Sequence, residues 1–238
     1  MKKKTLAEKV EVTLRYTFVV MTLLALLAHI FVDFFEPIQW EGFFSLLLAL
    51  VLFTLPTVFS KRTNIKIPVE FQIFFLLFIF AAMYLGEVHD FYYRVKWWDS
   101  MLHSTSATLL GYIGFLLIFT LNRDKDIHLR LSPFFIALFT FCFAISIGVL
   151  WEIFEFLVDH IFGLNMQKAR SLGHLIEGYG DTRLGVLDTM KDLIVDAVGA
   201  LFVAIMGYFY CKRQEKQDST FWKVKQHFIE DNPDLFDM

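Results

Sequence analysis

Ser132-Pro-Phe-Phe-Ile-Ala-Leu-Phe-Thr-Phe-Cys-Phe-Ala-Ile-Ser-Ile-Gly-Val-Leu-Trp-Glu-Ile-Phe-Glu-Phe-Leu-Val-Asp159 carries no charged residue before Glu152. A helix rises 1.5 Å per residue and needs about 20 mainly apolar residues to cross a bilayer core, so this run is long enough to span a membrane. It then closes with Glu152, Glu155 and Asp159. Steps of three and four residues put those carboxylates on one helical face. A helix C-terminus carries partial negative charge, which disfavours each nearby carboxylate by roughly 0.3–1 kcal/mol unless a cation or proton offsets it. The stretch therefore predicts both a transmembrane helix and a polar site at its end.

Five other stretches qualify as spans, giving six in all: roughly Leu14–Phe35, Gly42–Ser60, Pro68–Gly86, Asp99–Leu121, Ser132–Asp159 and Leu187–Tyr210. With 56% hydrophobic residues and 29 Phe in 238, the chain is more apolar than a soluble domain, which is about 45–50% apolar. The expected fold is an all-α polytopic membrane bundle. Met1-Lys-Lys-Lys4 before the first span reads as the start of an uncleaved signal-anchor, because the apolar part exceeds a usual signal-peptide core and no small-x-small site follows. A net charge of −3 with no internal basic run excludes a nucleic-acid partner. Cys142 and Cys211 give no basis for a disulfide framework or a thiolate metal site.

Basic residues alternate along the connections and set the orientation. Lys2, Lys3, Lys4, Lys9 and Arg15 precede the first span; Lys61, Arg62 and Lys66 follow the second; Arg123, Lys125 and Arg130 follow the fourth; Lys212, Arg213 and Lys216 follow the sixth. Both termini are expected in the cytoplasm, with residues 1–13 as the N-terminal segment, 14–211 as the six-helix domain and 212–238 as a cytoplasmic tail. The tail reads as solvated, with a surface helix as the alternative. The connection at about 160–186 is longer than a turn requires and falls outside, as do Glu36, Glu41 and Glu87–Trp98.

On that topology most chemistry-bearing residues collect in the outer leaflet. Asp99, His103 and Ser106 share a face with small Ala107 and Gly111; Asp188, Asp192 and Asp196 form a ladder that runs on to Gly199 and Ala200, with Asp196 roughly 12 Å below Asp188 at the helical rise. Glu152 and Glu155 stand among Trp151, Phe154 and Phe156. An ionisable side chain left unpaired within a span costs about 2.5–3.5 kcal/mol at the bilayer centre. For any single acid a salt bridge to Lys191, Arg183, Arg170 or Arg94 is a sufficient reading, and His103 could simply bond Asp99. For the whole set that reading is weaker, since the acids in these helix ends outnumber the bases that could reach them. The outer connection adds His174, Glu177, Gly178, Tyr179, Gly180 and Asp181, and His89 with Asp90 could add a second imidazole and acid.

The arrangement Trp98-Asp99-x-x-x-His103, Trp151-Glu152-x-x-Glu155, Asp181-Thr182 and Asp188-Thr189-x-x-Asp192-x-x-x-Asp196-x-x-Gly199-Ala200 resembles the YjdF-like family of bacterial inner-membrane proteins. The resemblance implies a multi-pass protein of the bacterial plasma membrane and carries over no catalytic residues. The last of these patterns also resembles VanZ-like membrane proteins, with Asp196 where Asn is expected.

These residues point to a cation site. His103, Glu152, Glu155, Asp188 and Asp192 are the expected ligands of a divalent metal, with Asp99, Asp159, Asp181 and Asp196 as further candidates; oxygen donors with one imidazole suit Mg, Mn, Fe or Zn. As an enzyme the protein would act on a lipid or lipid-linked substrate reached from the bilayer, with His103, Glu152 and Asp192 as the catalytic set and the metal as Lewis acid or water activator. As an ion- or proton-coupled transporter it would use Asp196 as the deeper relay step. As a scaffold it would use the acids for salt bridges alone. Towards the inner leaflet the fifth and sixth spans offer mostly Phe, Ala, Leu and Val, with Ser132, Thr140 and Ser146 as mild exceptions, which favours a one-sided site.

Overall fold

The structure, a computed structural model, describes residues 5–33, 40–63, 66–123, 131–168, 182–213 and 220–233. These residues form helices α1 (Leu6–Asp33), α2 (Trp40–Thr63), α3 (Val69–Ile79), which continues as a π-helix over Phe80–Val88, the single turn α4 (Phe91–Arg94), and α5 (Trp98–Arg123), α6 (Pro133–Phe162), α7 (Thr182–Arg213) and α8 (Thr220–Asp231). No strand occurs among the described residues. Among the described residues six helical stretches are long and apolar enough to cross a membrane, and they overlap the six runs read from the sequence. Large apolar side chains such as Leu24, Phe31, Phe134, Val198 and Phe202 face outward, as the bilayer as solvent requires.

The chain divides into two compact units, residues 1–95 with 218–238 and residues 96–217. In the first, Phe18 on α1 stacks on Phe80 with ring centroids 4.7 Å apart and tilts against Phe53 at 5.3 Å. Arg15 pairs with Glu11 one turn earlier and donates to Gln72 Oε1 at 2.7 Å, which ties α1 to α3. The π-helical turn, which widens the ladder by one residue, was not legible in the sequence; Gly86 within it lies where a Cβ would meet the Tyr92 ring. Within the C-terminal segment, Thr220–Asp231 form helix α8, in keeping with the helical alternative for the tail. Its end is held by Asn232, whose side chain accepts from Lys66 N at 2.6 Å and donates to Lys66 O at 3.0 Å, reproducing a backbone pairing.

The second unit is a bundle of α5, α6 and α7, each packed on the other two. Small residues set its spacing. Gly199 on α7 approaches α5 so closely that a Cβ there would stand 2.9 Å from Ser104 O and 3.2 Å from Ala107 Cβ; Gly111 meets Val203 and Gly207 meets Phe115 in the same way. With no hydrophobic driving force between helices in lipid, such close backbone approach supplies the packing. The far end of the bundle is closed by aromatic contacts, Tyr210 standing edge-on to Phe115 at 5.9 Å and to Phe119 at 5.7 Å. Helix α6 begins at Ser132, whose hydroxyl accepts from Phe135 N at 3.2 Å ahead of Pro133. It ends at Gly163, whose φ of 67° suits a residue without a Cβ.

Gly199→Ala tests this seam. Because the facing atom is backbone and cannot swing aside, the substitution is expected to cost about 1–3 kcal/mol, read as a lower unfolding temperature in detergent; unchanged stability would mean that α5 and α7 do not touch there.

Candidate metal centre

The first turns of α5 and α7 and the last turns of α6 meet at one end of the second unit, and their acids converge on His103. The imidazole is buried. Its Nε2 lies 3.8 Å from Asp99 Oδ1 and 3.8 Å from Glu152 Oε1, while Nδ1 lies 3.3 Å from Asp196 Oδ1. Asp99, His103 and Asp192 each offer a donor atom within 4.8 Å of the others. A tetrahedral ion with bonds of about 2.0–2.1 Å holds its donors about 3.3 Å apart, so these three donors are spaced to supply part of such a shell after small shifts.

Burial makes this cluster unusual. Glu152 is 4% exposed, Asp192 1% and Asp196 2%, and Glu152 Oε1 and Oε2, Asp192 Oδ1 and Asp196 Oδ1 are all buried without a well-aligned hydrogen bond. Buried polar groups are normally satisfied, and a buried charge without a partner is costly. The salt-bridge reading is realised in part. Lys191 Nζ lies 3.0 Å from Asp99 Oδ2 and 3.6 Å from Asp192 Oδ1, with its own side chain 43% exposed at the rim. Among the described residues Lys191 forms no ion pair with Glu152.

The remaining candidates are placed differently. Glu155 is buried and accepts a hydrogen bond from Trp151 Nε1 at 2.8 Å, one turn back on its own helix. Asp159 folds the segment after α6: its carboxylate accepts from Met166 N at 2.6 Å and from Gln167 N at 2.9 Å, and its carbonyl accepts from Gly163 N. Gln167 Nε2 in turn donates to Thr189 Oγ1 at 3.0 Å, fastening this segment to α7 beside the cluster. Asp188 is half-buried one turn before Asp192. Asp181 and the residues from His174 to Gly180 lie outside the described residues. His89 packs its ring on Tyr84 at 5.4 Å and Asp90 pairs with Arg94 at 3.4 Å, within the first unit. Sequence reasoning missed the Trp151 donor and the turn-forming role of Asp159. It also missed Gly148, although the spacing Gly148, Glu152, Glu155 places that glycine on the acidic face.

Residues 17–213 match the family described as a predicted membrane protein (DUF2238). The chain belongs to that family. It is also 27% identical over 191 residues to an uncharacterised protein of Thermotoga maritima, a match that covers 79% of this chain and 80% of that protein. No solved structure matches, and the likeness to VanZ-like proteins finds no support in these comparisons.

Asp159→Ala separates the turn from the cluster. Losing an acceptor for two backbone N–H groups is expected to cost about 1–3 kcal/mol and to speed amide hydrogen exchange at Met166 and Gln167; unchanged exchange there would remove the turn-forming role.

Proposed function

We propose that this family member binds a divalent metal inside the membrane bundle through Asp99, His103 Nε2 and Asp192, with Glu152 completing the shell, and uses it as a metal-dependent enzyme on a lipid or lipid-linked substrate. The observation that carries the reading is the set of buried, poorly satisfied carboxylate oxygens gathered around one imidazole. Glu155, Asp159 and Asp188 then fall outside the ligand set. Imidazole beside carboxylates favours Mn, Fe or Zn over Mg or Ca. A metal there would polarise a substrate oxygen or lower the pKa of a bound water, and the exposed edge at Lys191 supplies the approach.

A transporter would need the polar path to continue along the bundle. Beyond Asp196 the seam is instead filled by Ala107, Ala200, Val203, Ala204 and Phe115, all buried, with glycines closing α5 on α7. This supports a site open at one end. The distribution of Lys and Arg supports an orientation with that end outside a bacterial plasma membrane and both termini in the cytoplasm, and the YjdF-like resemblance is in keeping with it.

Two measurements test the reading. Purified under gentle extraction, the wild type should carry about one divalent ion per chain, lost in His103→Ala and Asp192→Asn and weakened as pH falls because protons compete for the ligands; a metal-free wild type that cannot be loaded would overturn the metal reading and put salt bridges and protonated carboxylates in its place. In a background without Cys142 and Cys211, a cysteine at Tyr179 should react with an impermeant maleimide on intact cells and one at Lys125 should not. The reverse pattern would place the site on the cytoplasmic side.

A further inference from the structure

His103 has two ring nitrogens with different surroundings, and only one can serve a metal lying among Asp99, Glu152 and Asp192. Nε2 faces Asp99 and Glu152. Nδ1 faces Asp196, which comes from the second turn below Asp188 and is 2% exposed. Asp196 Oδ1 has no aligned hydrogen bond, and the imidazole edge stands 3.3 Å from it, a separation that shortens readily once a ligand fixes the ring. The room for this carboxylate is made by α6. A Cβ on Gly148 would stand 2.5 Å from Asp196 Oδ2, so any larger residue there must drive the carboxylate away.

We propose that Asp196 is a positioning residue and not a metal ligand: it accepts the Nδ1–H of His103, fixes the tautomer with Nε2 bare and aimed at Asp99 and Glu152, and depends on Gly148 for its place. This rests on the metal reading above. A ligating imidazole whose other nitrogen donates to a carboxylate is held in orientation and made more basic, and loss of such a partner lowers metal affinity about 10–100-fold. It also accounts for the depth of the Asp188, Asp192, Asp196 ladder: the middle rung is a ligand and the deepest one holds the ligand's far side.

The test combines Zn2+ titration of the full-length protein in detergent with nitrogen NMR of 15N-histidine-labelled samples, His103 being assigned by its loss in His103→Gln. In the metal-free wild type, where carboxylates face both nitrogens, Nδ1 should carry a hydrogen whether or not Nε2 also does; on adding Zn2+, Nε2 should shift while Nδ1 keeps its hydrogen. Asp196→Asn removes the charge at constant shape, and Gly148→Ala keeps the charge but displaces it. Both should weaken Zn2+ binding about 10–100-fold and populate the other tautomer. Zn2+ bound at Nδ1, or two variants that bind as tightly as wild type with an unchanged tautomer, would overturn the assignment. A wild type that takes up no Zn2+ but loses its Nδ1–H tautomer in Asp196→Asn would sink the metal reading and leave the positioning role standing.

Discussion

The second unit depends on an electrostatic imbalance at one end of its bundle. Asp99, Glu152, Asp192 and Asp196 crowd around His103, and Lys191 is the ammonium paired with two of them. Leaving a buried charge without its partner costs about 3–5 kcal/mol, so four acids that find one paired ammonium among the described residues are not all ionised without further positive charge. Protons on some carboxylates would relieve it; a divalent cation would relieve it and also draw in the oxygens that accept no hydrogen bond.

The glycine seam and this cluster are parts of one design. Interhelical contact in lipid comes from close packing of small residues, and Gly199 brings α7 against the backbone of α5 just one turn from His103 and Asp196. Gly148 does the same for α6, with a carboxylate rather than backbone filling the gap. Each glycine gives up helix propensity, roughly 0.8–1.0 kcal/mol against Ala. What is gained is a short distance between helices at the level where charged groups must meet, so small cross-helix spacing and cluster geometry are set together.

Much of this was legible in the sequence because membranes simplify the reading. Span length, the spacing of Asp99 and His103, and the ladders on the fifth and sixth runs follow from a fixed bilayer thickness and the helical repeat, and the structure places six helices on those runs. What the repeat could not say is which side chain each acid meets. Glu155 and Glu152 lie on the same face, yet the first is claimed by Trp151 four residues back and the second points at His103 from another helix. Asp159 reads as a third rung of the ladder, but it lies one turn from Gly163, where the chain reverses, and backbone N–H groups from the turn capture it. Such outcomes depend on rotamer and on neighbours distant in sequence. The π-helical stretch after α3 has no periodic signature at all.

Lys191 shows why a tethered ammonium is an incomplete answer to the cluster. It sits beside Asp192 in sequence, so its stem leaves α7 from an adjacent face and its head returns to the rim, where it reaches Asp99 and grazes Asp192. Going deeper would mean desolvating the ammonium among apolar side chains and giving up its 43% exposure, at an effective cost of several kcal/mol per buried ion. Glu152, 4% exposed and facing the imidazole from the opposite helix, stays beyond that reach. A small ion without a stem has no such geometric limit, and Asp99 Oδ1 and Glu152 Oε1, each 3.8 Å from Nε2, lie where it would sit.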